Sequence, residues 1–275
     1  MWDNLQPLTA LLYVTLAEFV LAFLAFLLKQ RRLGWAQYVL AFSMTAAAVV
    51  LRAIRVGHAP MGNLYEVFLL LAALLFPLSV FGRVVLKVGG VAFDVLLAAV
   101  LLVPPAFVFP ADPKPLPPAL QSPLFTPHVL AYMLAYVILA KAAVVGMVGW
   151  IRERNHCGLR NADCGLKETE ICISNDRAVY RLVCLGFPFL TAGLLTGALW
   201  GKQAWGDWWN WDPKELWSLA TWLIYAAYFH VRMTTSRRRP RMEVAFVIVG
   251  LACIVITLLW VNLSRLFAGL HSYAA

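Results

Sequence analysis

Charge is what this chain has least of: Asp, Glu, Lys and Arg make up 13% of its 275 residues, against 62% hydrophobic. A soluble domain of this size needs far more charge to cover its surface, so that class is excluded. Cysteine is also scarce. Cys157, Cys164 and Cys172 fall in one basic connection, and Cys184 and Cys253 lie inside apolar runs, so structural disulfides are not expected. His156 and Cys157 with Cys164 and Cys172 offer four donors, but six and seven residues separate the cysteines. Zinc sites use tighter pairs, which favours reduced, unliganded thiols there. Internal repeats are lacking, and Met1-Trp2-Asp3 has no basic run ahead of the first apolar stretch. That stretch is therefore expected to stay in the membrane instead of being cleaved.

What the chain does have is a series of apolar runs, each long enough to cross about 30 Å of hydrocarbon as a helix. About eight spans are expected: Pro7–Leu28, Leu33–Leu51, Gly62–Phe81, Val88–Val108, Pro127–Trp150, Leu182–Trp200, Lys214–Arg232 and Val244–Leu263. The fold class is all-α, a single polytopic membrane domain over residues 1–275. Of the 23 Lys and Arg, 16 fall in the connections Lys29–Arg32, Arg83–Lys87, Arg152–Arg181 and Arg232–Arg241. Positive charge is retained on the cytoplasmic side, which puts both termini outside. The net charge of +9 thus reports topology and not nucleic-acid binding.

Three outer connections follow, along with a C-terminal tail. Arg52–Met61 carries Arg55 and His58, and Pro104–Pro127 is too Pro-rich to be helical throughout and ends beside His128. The tail after the eighth span carries His271. The third connection, residues 200–214, packs four Trp into seven residues: Trp205, Trp208, Trp209 and Trp211, with Gly206 among them. Anchoring Trp at a membrane surface are usually scattered singly, whereas a shelf of indoles suits a large, flat, apolar ligand. Asp212, Pro213 and Glu215 read as an N-cap, a Pro at the first helical position and a capping-box acid.

His230 follows Trp211 by 19 residues, about 28 Å of helix, so it cannot reach a ligand held at the Trp loop. It either snorkels to the cytoplasmic surface or belongs to a second site.

The segment Trp205-Gly-x-x-Trp209-x-Trp211-Asp212-Pro-Lys-Glu215 resembles the "WWD" signature of the haem-handling proteins of cytochrome c maturation, in particular the CcsA/ResC branch of system II. Gly62-Asn63-Leu64-Tyr65-Glu66 and Gly269-Leu270-His271-Ser272-Tyr273-Ala274 are similar to that branch too. The resemblance implies the membrane subunit of a holocytochrome c synthase that carries haem outward and presents it for thioether attachment to a CxxCH apocytochrome c. It implies an outer site where His128 and His271 ligate the iron of non-covalently held haem b, with Trp205, Gly206, Trp209, Trp211 and Asp212 around it. His230, in a Tyr225-x-x-Tyr228-x-His230 context, corresponds to an inner iron ligand that pairs with a His of the partner subunit. A CcsB/ResB-like subunit, thiol-reducing proteins and membrane lipid are the implied partners, in a plasma membrane or a thylakoid. Apart from the resemblance, Arg55, Lys202 and Arg265 are outer cations with the charge to pair with haem propionates, but each taken singly reads as an exposed interfacial charge. Neither His58 nor His156 has a role carried by the resemblance.

Two alternatives remain at this level. A CcmC-like exporter loads a haem chaperone and makes no thioether. Pro213-Lys214-Glu215 and the number of spans favour the CcsA/ResC branch over it. A transporter or channel with a Trp-belted mouth needs polar groups in several spans, and here Glu18, Asp94 and Lys141 are isolated.

Overall fold

The computed structural model describes residues 6–157, 166–234 and 240–263, and every regular element among them is helical. In chain order these are α1 (Gln6–Leu27), α2 (Arg31–Val56), α3 (Leu64–Val84), α4 (Val91–Phe107), α5 (Phe125–Cys157), α6 (Leu166–Trp205), α7 (Pro213–Thr234) and α8 (Pro240–Val255). A short 3-10 turn, Pro118–Leu120, precedes α5, and α8 runs on through a π-helical turn, Ile256–Trp260, to Leu263. Six helices are long and apolar enough to cross a membrane: α1, α2, α3, α5, α6 and α8 with its continuation. The apolar α4, at 17 residues, is shorter, and α7 carries Lys214, Glu215, His230 and Arg232 among its aromatic side chains. The chain is a polytopic all-α membrane protein.

Several helices outrun the apolar stretches that mark them. α2 continues past Leu51 to Val56, α6 starts at Leu166 and reaches Trp205, and α5 begins at Phe125. Hydropathy reports the part of a helix that suits hydrocarbon, whereas helical hydrogen bonding continues wherever polar side chains find partners. Two consequences matter. Arg52 is helical and buried instead of lying in a connection. The Trp connection shortens to residues 206–212, because Trp200 to Trp205 form the last turns of α6.

The chain divides into two compact units, one up to Val129 and one from Leu130 onward. In the first, α1 packs on α2, α2 on α3, α3 on α4 and α4 back on α1. An aromatic cluster fills it: Tyr38 meets Phe76 at 5.0 Å between ring centroids, and Phe42 stacks on Phe76 at 4.5 Å. The Tyr38 hydroxyl lies 3.1 Å from Ser79 Oγ, which donates to Asp94 Oδ2 at 2.7 Å. A buried carboxylate in this setting needs such partners, since an unsatisfied polar group in an apolar core is costly.

At the end of α2, Gly57 adopts φ 73° and its N–H donates to Ala53 O, closing the helix in the left-handed cap that glycine favours. α3 opens on Asn63, whose side chain accepts the Glu66 N–H at 3.0 Å, while Glu66 Oε2 accepts the Gly62 N–H at 2.8 Å. Glu66 Oε1 accepts from Arg52 Nε at 2.9 Å, with both side chains 1% exposed. Arg52 also donates to the carbonyls of Ala111 and Asp112 and lies 5.0 Å from the Tyr65 ring centroid. The Gly62-Asn63-Leu64-Tyr65-Glu66 stretch is thus a helix cap and an ion-pair clamp.

In the second unit, glycines set how closely helices approach. A Cβ at Gly193 would meet the Tyr132 ring at 2.9 Å, and one at Gly250 would meet the Tyr225 ring at 2.6 Å. α6 therefore lies against α5, and α8 against α7. At one end, Arg232 donates to both carboxylate oxygens of Asp176 at 2.9 and 3.0 Å, pairs with Glu243, and stands 4.3 Å over the Tyr180 ring. The bidentate fork ties α6 to α7, and the pair with Glu243 adds α8.

Candidate functional site at the tryptophan loop

The Trp loop is short because both flanking helices end firmly. α6 stops at Gly206, which takes φ 91° and donates its N–H to Lys202 O at 3.1 Å. That is the left-handed C-cap, and a β-carbon there costs roughly 1–2 kcal/mol in backbone strain. Lys202 Nζ donates to the Gly206 carbonyl. α7 starts with the expected capping box: Asp212 Oδ1 accepts the Lys214 N–H at 2.9 Å, and Glu215 Oε2 accepts the Asp212 N–H at 3.2 Å. Asp212 is buried, 5% exposed, as a cap sealed into the loop. Gly206 and Asp212 therefore both have a definite structural task.

Glu215 does more than a capping box requires. Its Oε2 also accepts the Asn210 N–H, at 2.8 Å. The two amides it holds flank Trp211, which sits at φ 56°, an uncommon conformation for a bulky residue. The Trp211 side chain is 68% exposed and Trp208 is 55% exposed. Trp209 and Trp211 meet edge to face, their centroids 6.2 Å apart. Trp205 lies edge-on to Trp200 at 4.7 Å, and Trp200 is buried. The loop is anchored at Trp205 and presents indoles at its other side. Sequence spacing predicts Glu215 as a cap. Its hold on Asn210 was missed, since a left-handed φ at a tryptophan has no sequence signal.

Of the proposed site residues, Trp205, Gly206, Trp209, Trp211 and Asp212 belong to this one loop and its borders. His128 is half-buried at the fourth position of α5. The helix begins two residues before Pro127, so Pro127 is the third helical residue and not the first. It still falls among the positions whose N–H has no helical partner. His230 lies 17 residues beyond Pro213 on α7, about 26 Å along the helix, and its side chain is exposed. The same helix therefore carries the Trp loop at one end and His230 near the other. His271 and Arg265 lie outside the described residues, and so do the side chains of His156, Cys157, Cys164 and Cys172. His58 Nδ1 donates to the Ala59 carbonyl oxygen at 2.9 Å. Among the described residues, no cluster of His, Cys, Asp and Glu has the arrangement of a metal site.

The cytochrome C assembly protein family matches residues 6–269. The cytochrome c biogenesis protein CcsA of Prochlorococcus marinus (strain MIT 9303) is 34% identical over 269 residues, covering 85% of this chain and 81% of that protein. The protein of the same name from Synechococcus sp. (strain CC9605) is 30% identical over 302 residues, covering 94% of both. The Chlamydomonas reinhardtii CcsA is 35% identical over 230 residues, 79% of this chain, which spans 61% of the algal protein. Among solved structures, a cytochrome c haem lyase, CcmF, superposes with a TM-score of 0.63 at 20% identity. The superposition covers 91% of this chain and 45% of that one, a likeness of fold. With a family match running nearly from end to end and relatives at 30–35% identity, the chain belongs to the cytochrome c assembly proteins, as a CcsA-type member.

Proposed function

We propose that this chain is the haem-handling membrane subunit of a cytochrome c synthase. Membership of the family gives it a role in cytochrome c maturation. On our reading, haem b is its cargo: it enters near His230, moves outward, and is held at the Trp loop with His128 and His271 as axial ligands. Two His ligands leave the iron no open position for oxygen. Trp208 and Trp211 provide flat apolar contact for the macrocycle, and Trp209, edge-on to Trp211, fixes the shelf from beside it. The chain's own contribution is orientation and exclusion of competing reactions. Each thioether then forms as a cysteine S–H of the CxxCH client adds across one vinyl C=C. Sulfur bonds to one vinyl carbon, hydrogen goes to the other, and no electrons are gained or lost.

The observation that carries this reading is the Trp loop itself. Large indoles are exposed on seven residues whose backbone is capped at both ends, an arrangement that membrane anchoring does not require. The length of α7 between that loop and His230 suits two separate haem positions on opposite membrane faces. The distribution of Lys and Arg favours both termini and the Trp loop outside, and on our reading the eight helices lie in a plasma or thylakoid membrane. A CcsB/ResB-like subunit supplies the second inner ligand, and thiol-reducing proteins keep the client cysteines reduced.

Co-expression with the partner subunit and a CxxCH reporter apocytochrome tests this. The wild-type pair should give a reporter that keeps its haem through denaturing electrophoresis, and His128→Ala should abolish that product. A His128→Ala pair that matures the reporter normally contradicts the proposal.

A further inference from the structure

We infer that Glu215 is a positioning residue for the proposed haem shelf: one of its carboxylate oxygens holds Trp211 in the left-handed backbone conformation that presents its indole. The inference rests on the haem-site reading for its functional half and on the loop geometry alone for its structural half. A capping box needs the acid to accept one N–H, that of the N-cap residue. Glu215 Oε2 accepts two, from Asp212 at 3.2 Å and from Asn210 at 2.8 Å. The residue between those amides is Trp211, at φ 56°. With both neighbouring N–H groups converging on a single atom, the chain has to curl tightly through Trp211.

A tryptophan gains nothing by itself from this conformation, since its β-carbon crowds the backbone there. Such strain persists only where the surroundings over-determine it, and it concentrates at ligand clamps. Here the surroundings are a carboxylate on the first turn of α7, where the helix dipole favours negative charge. The consequence is a side chain 68% exposed but held in register with Trp209, 6.2 Å away and edge-on. A free loop with the same exposed indole would pay conformational entropy on every binding event. Glu215 thus acts through Trp211 and not on the ligand.

The test is a double-mutant cycle in the complex purified with its partner subunit. Two quantities are read, the haem retained after incubation with hemin and the apparent melting temperature. Glu215→Ala and Trp211→Ala should each lower haem retention about fivefold, the scale of one lost indole contact. The double variant should fall no further than the worse single one, because both remove the same presented indole. Trp211→Gly should melt higher than Trp211→Ala while Glu215 is present, because glycine relieves the left-handed strain. In the Glu215→Ala background that difference should vanish. If Glu215→Ala does not accumulate, Glu215→Gln carries the same comparisons with a weaker, neutral acceptor.

Additive haem losses, or a glycine-over-alanine advantage at position 211 that survives removal of the Glu215 carboxylate, would overturn the inference. Haem retention unchanged in Trp211→Ala would instead sink the shelf. The melting comparison would still decide whether Glu215 holds the backbone.

Discussion

Replacing Arg52 with alanine strands a carboxylate. Glu66 is 1% exposed, and besides the Gly62 N–H, Arg52 Nε at 2.9 Å is the cation that stabilises its charge. The substitution also takes the guanidinium from the Ala111 and Asp112 carbonyls and from its place 5.0 Å over the Tyr65 ring. Breaking a buried pair by deleting one partner typically costs about 3–5 kcal/mol, because the remaining charge stays desolvated. At about 2–4 °C per kcal/mol for a chain of this size, the apparent melting temperature should fall by roughly 6–20 °C. Removing both charges, with Arg52→Met and Glu66→Leu together, should cost less than Arg52→Ala alone, since no ion is left unpaired. Thermal unfolding in detergent, followed by intrinsic fluorescence, measures this. An Arg52→Ala protein that melts within about 2 °C of wild type, or a double variant less stable than the single one, would refute the clamp.

Other perturbations separate ligand contact from scaffold in the Trp loop. Trp208→Ala and Trp211→Ala should lower haem occupancy at unchanged protein level, each indole contributing about 1 kcal/mol through contact geometry; Soret absorbance normalised to protein checks it, and unchanged spectra would leave the cluster as an anchor. Asp212→Ala should reduce protein level as well, because it removes a helix cap worth about 1 kcal/mol, which quantitative immunoblotting of membranes will show. His230→Ala should reduce total haem loading and slow maturation when haem is limiting, whereas normal maturation under that condition would return His230 to a snorkelling side chain.

Much of the Trp loop was legible because its chemistry is local. Asp212 and Glu215 are three residues apart, and a cap is a relation between near neighbours, so spacing alone predicts the Glu215 bond to the Asp212 N–H at 3.2 Å and an N-cap role for Asp212, which accepts the Lys214 N–H at 2.9 Å. Asn63 and Glu66 form a related cap at the start of α3, Glu66 accepting the N–H of Gly62 one residue before the N-cap, but there the sequence offered a family motif without its physical reason. What stayed hidden is the second task of each acid. Glu66 meets Arg52 from a different helix, 14 residues away, and Glu215 holds an amide whose position depends on the curl at Trp211. Both are tertiary facts that no periodicity encodes. Hydropathy likewise found the helices but clipped their ends, placing Arg52 in a connection when it is the buried half of an ion pair. A buried charge and an exposed one look the same in a sequence until their partner is known.

The most direct measurement is the optical spectrum of the chain purified with its partner subunit from haem-replete cells. A non-covalent b-type haem with a six-coordinate, low-spin spectrum is expected. His128→Gly or His271→Gly should open a coordination position that added imidazole refills, restoring low-spin bands. A purified complex without a Soret band, or one whose spectrum is indifferent to both substitutions, would contradict the proposal that this chain holds haem between those two histidines.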